Sequence, residues 1–241
     1  MVERYGGLFY LGVLGLILIV SLVGWFAWSA WSMRSVWTDI YVLHDPVRSE
    51  SERIQAAARL SQDERVLDRQ RWEMALRRPL PPLARYVLAE SITPELVASD
   101  SRAYGIAVSR STDWPDWLRF ALTRPIAYAA TRGFPVDSRS LTELSERPEP
   151  AVALWSQYAR VVRGDASPTE RDAFCDSNRV ASPYGELARL LCDAAQARTI
   201  AERLAKLDEA TLWMRARDPA VASLWRGVAS LLDGSSPPIR R

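Results

Sequence analysis

A long apolar segment near the N-terminus constrains the fold of this chain more than any other sequence feature. It covers residues 8–31, LFYLGVLGLILIVSLVGWFAWSAW, and contains 24 residues without one charged side chain. At about 1.5 Å of rise per residue, a helix of this length crosses the roughly 30 Å hydrocarbon core of a bilayer. We therefore predict a single transmembrane helix over residues 8–31, preceded by a short tail of residues 1–7.

Aromatic residues lie at both ends of this segment. The amphipathic rings of tryptophan and tyrosine anchor membrane helices at the level of the lipid headgroups. The predicted membrane-interface anchors are Tyr5, Tyr10, Trp25, Trp28 and Trp31. A cleaved signal peptide is the alternative interpretation, because Ala27-Trp28-Ser29 is a tolerable small-x-small cleavage pattern. We favour the anchor, because the apolar segment is longer than the usual core of a signal peptide.

Helical spacing continues beyond the apolar segment. Val36, Ile40 and Leu43 recur at i, i+4 and i+7, and Pro46 then disfavours helical geometry at the residue before it. We expect residues 32–48 to form a helical stalk and turn that holds the following domain off the bilayer.

The charges beside the apolar segment leave its orientation open. Arg4 precedes the segment and Arg34, Arg48 and Arg53 follow it, a distribution that leans towards a cytoplasmic domain. A long domain after such a segment is, however, translocated largely regardless of its charges. We expect a single-pass protein of the cell membrane whose domain lies on the exported side.

The rest of the chain lacks the signatures of common catalytic and binding sites. The net charge of +2 argues against a nucleic-acid surface. We find no phosphate-binding glycine loop or nucleophile elbow, and the single histidine, His44, is too few for an imidazole metal site or a His-based triad. We therefore predict no catalytic residue, no cofactor, no metal and no nucleic-acid partner. Cys175 and Cys192 form either a disulfide in an exported domain or two small buried apolar residues.

Helix starts are plainly marked after residue 48. In a capping box, a hydroxyl side chain and a glutamate three residues later each accept the other's backbone N–H. The predicted boxes pair Ser49 with Glu52, Ser61 with Glu64, Ser140 with Glu143, Ser167 with Glu170 and Thr199 with Glu202. Caps followed by proline are Thr93-Pro94, Ser167-Pro168, Ser182-Pro183 and Asp218-Pro219. Without a convincing period-two strand, the sequence predicts an all-α domain over residues 49–234 and a flexible tail over residues 235–241.

The predicted helix starts recur with a period near 34 residues. The prolines that open candidate helices, at spacings of 34, 35, 33 and 36 residues, are Pro81, Pro115, Pro150, Pro183 and Pro219. Such a period is the length of one helix-turn-helix unit, which cannot bury its apolar face alone and must stack on its neighbours. The segments 149–164 and 218–234 also overlay and match Trp155 with Trp225. We expect both rings to fill the space between adjacent hairpins.

The last part of the chain shows motif residues in addition to the 34-residue period. Within residues 203–234, Glu209-Ala210 and Asp218-Pro219 look like the end of the second helix of a repeat, and Trp225 falls where the next helix carries its large aromatic residue. On these residues the chain resembles the tetratricopeptide (TPR) class of helical-hairpin repeats. A degenerate helical repeat of another kind fits the same period. The resemblance implies a TPR-like solenoid that contacts proteins through a concave groove, with no catalytic residues to carry over.

A candidate partner surface surrounds the helix start at Pro115. Trp114, Trp117 and Arg119 cluster there and form a possible anchor for a partner protein or a ligand. The alternative is a helix start whose rings pack between neighbouring hairpins.

We interpret the chain as a membrane-anchored helical-repeat scaffold, or as an accessory subunit of a membrane complex, that binds other proteins beside the lipid bilayer. One alternative is an exported enzyme or ligand-binding domain with a groove lined by tryptophans and arginines. A deep pocket with a carboxylate of shifted pKa would favour it, whereas an open apolar groove would favour the scaffold. Another alternative is a structural anchor that packs through its transmembrane helix, where Gly12, Gly15 and Gly24 permit close approach.

Overall fold

The computed structural model describes residues 3–76, 80–110, 114–176 and 183–232, and the side chains of residues 14–76, 80–110, 114–176 and 183–230. Every regular element in these ranges is an α-helix, so the predicted all-α class is confirmed there. The helices are α1 (Glu3–Ser32), α2 (Arg34–His44), α3 (Glu50–Gln62), α4 (Asp68–Leu76), α5 (Pro82–Glu90), α6 (Pro94–Ser99), α7 (Ser101–Arg110), α8 (Asp116–Thr131), α9 (Ser138–Ser145), α10 (Pro150–Arg163), α11 (Pro168–Cys175), α12 (Gly185–Gln196), α13 (Ile200–Arg217) and α14 (Pro219–Leu232). Ser182 and the predicted tail over residues 235–241 lie outside the described residues.

Local capping determines several of these helix starts. The complete capping boxes are Ser49 with Glu52, Ser167 with Glu170 and Thr199 with Glu202. The other two predicted boxes are wrong. Ser61 lies inside α3, because the helix continues to Gln62. α9 starts three residues earlier than predicted, because Asp137 is its cap and accepts the backbone N–H of Ser140 at 2.9 Å.

The segment that was expected to be a free stalk packs on the domain instead. One residue, Met33, separates α1 from α2, and its backbone N–H still donates to the carbonyl of Ser29 at 3.0 Å. α2 packs against α3 and buries Val36 and Leu43. The apolar spacing of α2 therefore reflects a helix interface, and the helix that follows the apolar segment belongs to the folded domain.

The helices from α3 to α12 divide into a row and a set of helices that pack against it. α3, α5, α8, α10 and α12 form a row in which each helix contacts the next, and α4, α6, α7, α9 and α11 pack against members of that row. The recurring prolines mark the starts of row helices. Pro81 and Pro115 are the caps of α5 and α8, Pro150 is the first residue of α10, and Pro183 lies two residues before α12.

The last two helices depart from this pattern. α13 packs against α12 and α8, whereas α14 packs against α13, α5 and α8. Pro219 therefore opens a helix that is not the next member of the row, and Trp155 and Trp225 occupy different environments. A Cβ atom at Gly227 would lie 2.8 Å from Leu83, so α14 approaches α5 closely. Because repeats of an open solenoid contact only their neighbours, this return of the chain to α5 is a closing contact between distant helices.

Candidate functional site

The predicted partner surface at the start of α8 is largely internal. Arg119 is only 2% exposed, forms an ion pair with Glu149 and donates from Nη2 to the carbonyl of Trp114 at 3.1 Å. Trp117 is half-buried and meets Tyr86 edge to face, with 6.0 Å between ring centroids. Arg119 is therefore unavailable to a partner, contrary to the prediction, because Glu149 holds its guanidinium inside the domain. Trp114 meets Trp72 of α4 edge to face, and Trp117 joins α8 to α5.

The rings at the C-terminal end of α1 are placed differently. Trp25, Trp28 and Trp31 are exposed along the helix, so each ring is accessible to lipid. Tyr5 and Tyr10 also belong to α1, but their side chains lie outside the described ones.

The strongest candidate site is a partly open cavity of about 260 Å³ at the closing contact. We call it the Glu90 cavity. It lies between α3, α5, α13 and α14. Its walls are formed by Ala58, Ser61, Gln62, Val87, Glu90, Ser91, Arg215, Trp225 and Val228.

A buried charge cluster forms the floor of the Glu90 cavity. The Glu90 carboxylate accepts from Arg215 at 2.8 Å, lies 3.2 Å from an Arg124 nitrogen and accepts the Tyr86 hydroxyl at 2.7 Å. The Arg215 guanidinium also lies over the ring of Trp225, 3.8 Å from its centroid, in cation–π geometry. Two guanidinium groups thus share one carboxylate, and the cluster carries a net positive charge.

The protonation states of this cluster do not suit acid–base chemistry. Burial by itself raises the pKa of Glu90, but the charges of Arg124 and Arg215 outweigh burial and leave that pKa below its usual range. Burial, followed by the charge of Glu90, raises the pKa of Tyr86 above its usual range. A general acid or base works best with a pKa near the working pH, and both groups are shifted away from neutrality. The cluster therefore suits the support of a binding surface rather than proton transfer.

A disulfide joins α11 to α12. Cys175 at the end of α11 and Cys192 in α12 are bonded, with their Cα atoms 5.2 Å apart. This separation lies within the usual range for disulfides. The structure thus resolves the two interpretations of these cysteines in favour of a bond. Disulfides persist in oxidising compartments and are rare in reducing ones.

The Glu90 cavity was not predicted from the sequence. No predicted capping box or site included Glu90, which is buried at the end of α5. A weak local signal existed, since Tyr86 lies one helical turn before Glu90 in an otherwise apolar stretch. Arg215 lies 125 residues away and no local pattern connects the two.

Neither metal chemistry nor a known relative points to a reaction. Across the described side chains, no group of three or more His, Cys, Asp or Glu is arranged to hold a metal ion. Comparisons of the chain with protein families, curated proteins and solved structures found no match. Any function must therefore be argued from the geometry of this molecule.

Proposed function

We propose that this protein is a membrane-anchored helical domain that binds another protein on the exported side of the membrane. α1 is long and apolar enough to span a bilayer, and none of its apolar window is buried against the rest of the domain. A soluble core helix of that composition would be buried. The Cys175–Cys192 disulfide supports the exported side, because such bonds persist where thiols are not kept reduced.

One observation carries the binding part of the proposal. The Glu90 cavity has apolar walls in Val87, Val228 and Trp225, and the carboxylate on its floor is already paired with two guanidiniums. A cavity of this kind suits a large apolar side chain of a partner more than it suits a substrate that must exchange protons. The row of α3, α5, α8, α10 and α12, whose predicted starts recur with a period near 34 residues, supports a TPR-like arrangement for that part of the domain only.

A second candidate function is the binding of a small carboxylate in the same cavity. The specific observation in its favour is the excess of one guanidinium over the carboxylate on the floor. An apolar acid would place its carboxylate near Arg215 and its body against Trp225. This candidate predicts a low-molecular-weight ligand rather than a protein contact.

A photo-crosslinking amino acid at Gln62 tests the protein-binding proposal in the full chain. Gln62 lies on the rim of the Glu90 cavity, and Gln55 is exposed on the same helix about two turns away, so it serves as the control. We expect irradiation of membranes to yield a discrete crosslinked protein from position 62 and far less from position 55. The substitution Ala58→Phe, which fills the cavity, should abolish that product.

Two outcomes of this experiment would count against the protein-binding proposal. Identical products from both positions, insensitive to Ala58→Phe, would mean nonspecific contact and would contradict the proposal. An absence of crosslinked protein, together with a small ligand that native mass spectrometry detects and that Ala58→Phe removes, would favour the carboxylate-binding alternative.

The disulfide provides a separate test of topology. On intact cells, we expect a membrane-impermeant maleimide to label the protein only after an impermeant reductant has opened the Cys175–Cys192 bond. The variant Cys192→Ser frees Cys175 and should be labelled without reductant. Labelling only after cell lysis would place the domain on the reducing side. An intact mass that matches a chain beginning near Ala30 would instead show that the apolar segment is a cleaved signal peptide.

A further inference from the structure

Two contacts determine how α3 runs relative to α2. Arg53 donates to the carbonyl of Leu43 at 3.0 Å, near the C-terminal end of α2. Arg59 pairs with Asp39 at 2.7 Å, one helical turn closer to α1. α3 is therefore antiparallel to α2, and its C-terminal end points back towards the apolar helix.

The segment that follows α3 contacts the end of α1 and the start of α2. We define the α3–α4 loop as residues 63–67. Within this loop, Arg65 donates to the hydroxyl of Ser35 at 3.0 Å and to the backbone carbonyl of Ser32. Ser32 directly follows Trp31 in the chain. The α3–α4 loop therefore lies at the junction of α1 and α2, at the level where a headgroup-anchored Trp31 would place it.

The loop has one buried and one exposed apolar residue. Val66 is buried and fixes the loop to the core, whereas Leu67 is 64% exposed. The exposed charged groups around it have both signs, since Arg65 pairs with Asp63 and Arg69 pairs with Glu73. Glu64, in the same loop, is exposed as well. The local charge thus does not select an anionic surface, and Leu67 is the exposed apolar side chain of the loop.

We propose that the domain rests directly on the bilayer, with Leu67 inserted among the lipid headgroups. This inference rests on the proposed function in one respect, because it requires α1 to be retained in the membrane. Insertion of a single leucine is weak on its own, because one side chain removes little apolar surface from water. The anchor makes the contact intramolecular, so a weak contact suffices. The domain thereby keeps one orientation relative to the membrane.

Spin labels at three positions of the full chain test this inference. The two native cysteines are bonded to each other, so Val20→Cys, Leu67→Cys and Leu212→Cys each introduce one reactive thiol. Leu212 matches Leu67 in residue type and is 60% exposed, but it lies on α13. Val20 reports on α1 itself. Each variant is reconstituted in phosphatidylcholine bilayers, and relaxation of the label by oxygen and by a water-soluble nickel chelate is compared.

We expect oxygen to dominate relaxation at positions 20 and 67 and the nickel chelate to dominate at position 212. Addition of anionic lipid should not strengthen the lipid contact at position 67, because the neighbouring exposed groups include the acidic Glu64 beside paired charges of both signs. A water-exposed label at position 67 beside a lipid-exposed label at position 20 would overturn the inference and leave the anchor intact. Water exposure at position 20 as well would overturn the proposed membrane anchor.

Discussion

Replacement of Trp155 by alanine is expected to lower the free energy of unfolding by about 3–5 kcal/mol. Trp155 is completely buried in α10, where its ring meets Phe120 edge to face and stacks on Tyr128, with centroid distances of 5.9 and 6.3 Å. Both neighbours belong to α8, so the truncation would leave a cavity between two helices of the row. Denaturant unfolding of the full chain in detergent, followed by circular dichroism, measures the loss.

The matched control is Trp225→Ala. Trp225 is half-buried, and one of its faces lies against the Arg215 guanidinium at the Glu90 cavity. We expect a clearly smaller loss of stability, because less of the ring leaves water on folding. Equal losses for the two variants would restore the equivalence predicted from the sequence overlay and would contradict the different environments of α10 and α14.

Replacement of Glu90 by glutamine is expected to cost about 3 kcal/mol of stability, at the lower end of the range for breaking a buried ion pair. The amide would still accept the Tyr86 hydroxyl, but Arg124 and Arg215 would face each other without their shared carboxylate. The lower end of the range applies because the side chains of Arg124 and Arg215 remain 14% and 20% exposed to solvent. The same denaturant titration measures the change.

A triple variant separates the charge effect from a general packing defect. Arg124→Met, Glu90→Leu and Arg215→Met together remove all three charges and keep similar volume. We expect this combination to regain most of the stability lost in Glu90→Gln, because replacement of a whole buried ionic cluster by apolar residues is often neutral or stabilising. A triple variant as unstable as Glu90→Gln alone would contradict the charge explanation.

The same carboxylate predicts a pH dependence with a defined sign. The pKa of Glu90 is lower in the folded chain than its ordinary value of 4.5. Its stabilising contribution is therefore fully present above pH 4.5 and is lost as the pH falls through the folded pKa. We expect the wild-type chain to lose more stability than Glu90→Gln between neutral pH and acid. Parallel acid curves for the two proteins would argue that Glu90 is not charged in the folded state.

Local interactions explain why much of the secondary structure was predictable. A capping box involves residues three apart, so Ser167 and Glu170 mark a helix start whatever the rest of the chain does. The boxes predicted at Ser61 and Ser140 show the limit of this logic. α3 continues through Ser61, and Asp137 rather than Ser140 caps α9.

Arg119 shows why the candidate site was less predictable. Its sequence neighbourhood is typical of an exposed aromatic and basic cluster, yet Glu149, the cap of α10, neutralises it inside the domain. The Glu90 cluster depends on the same kind of pairing between elements that are distant along the chain.

The sequence by itself determined the apolar helix, the all-α class, most helix starts and the 34-residue recurrence, because each depends on composition or on residues within a few helical turns. The tertiary structure alone decided that α2 packs on the domain, that Cys175 meets Cys192, and that α14 returns to α5 and encloses the Glu90 cavity. These outcomes depend on which apolar surfaces pack together and which charges pair between helices that are far apart in the sequence. Burial and charge pairing select among such arrangements, and no local pattern encodes the choice.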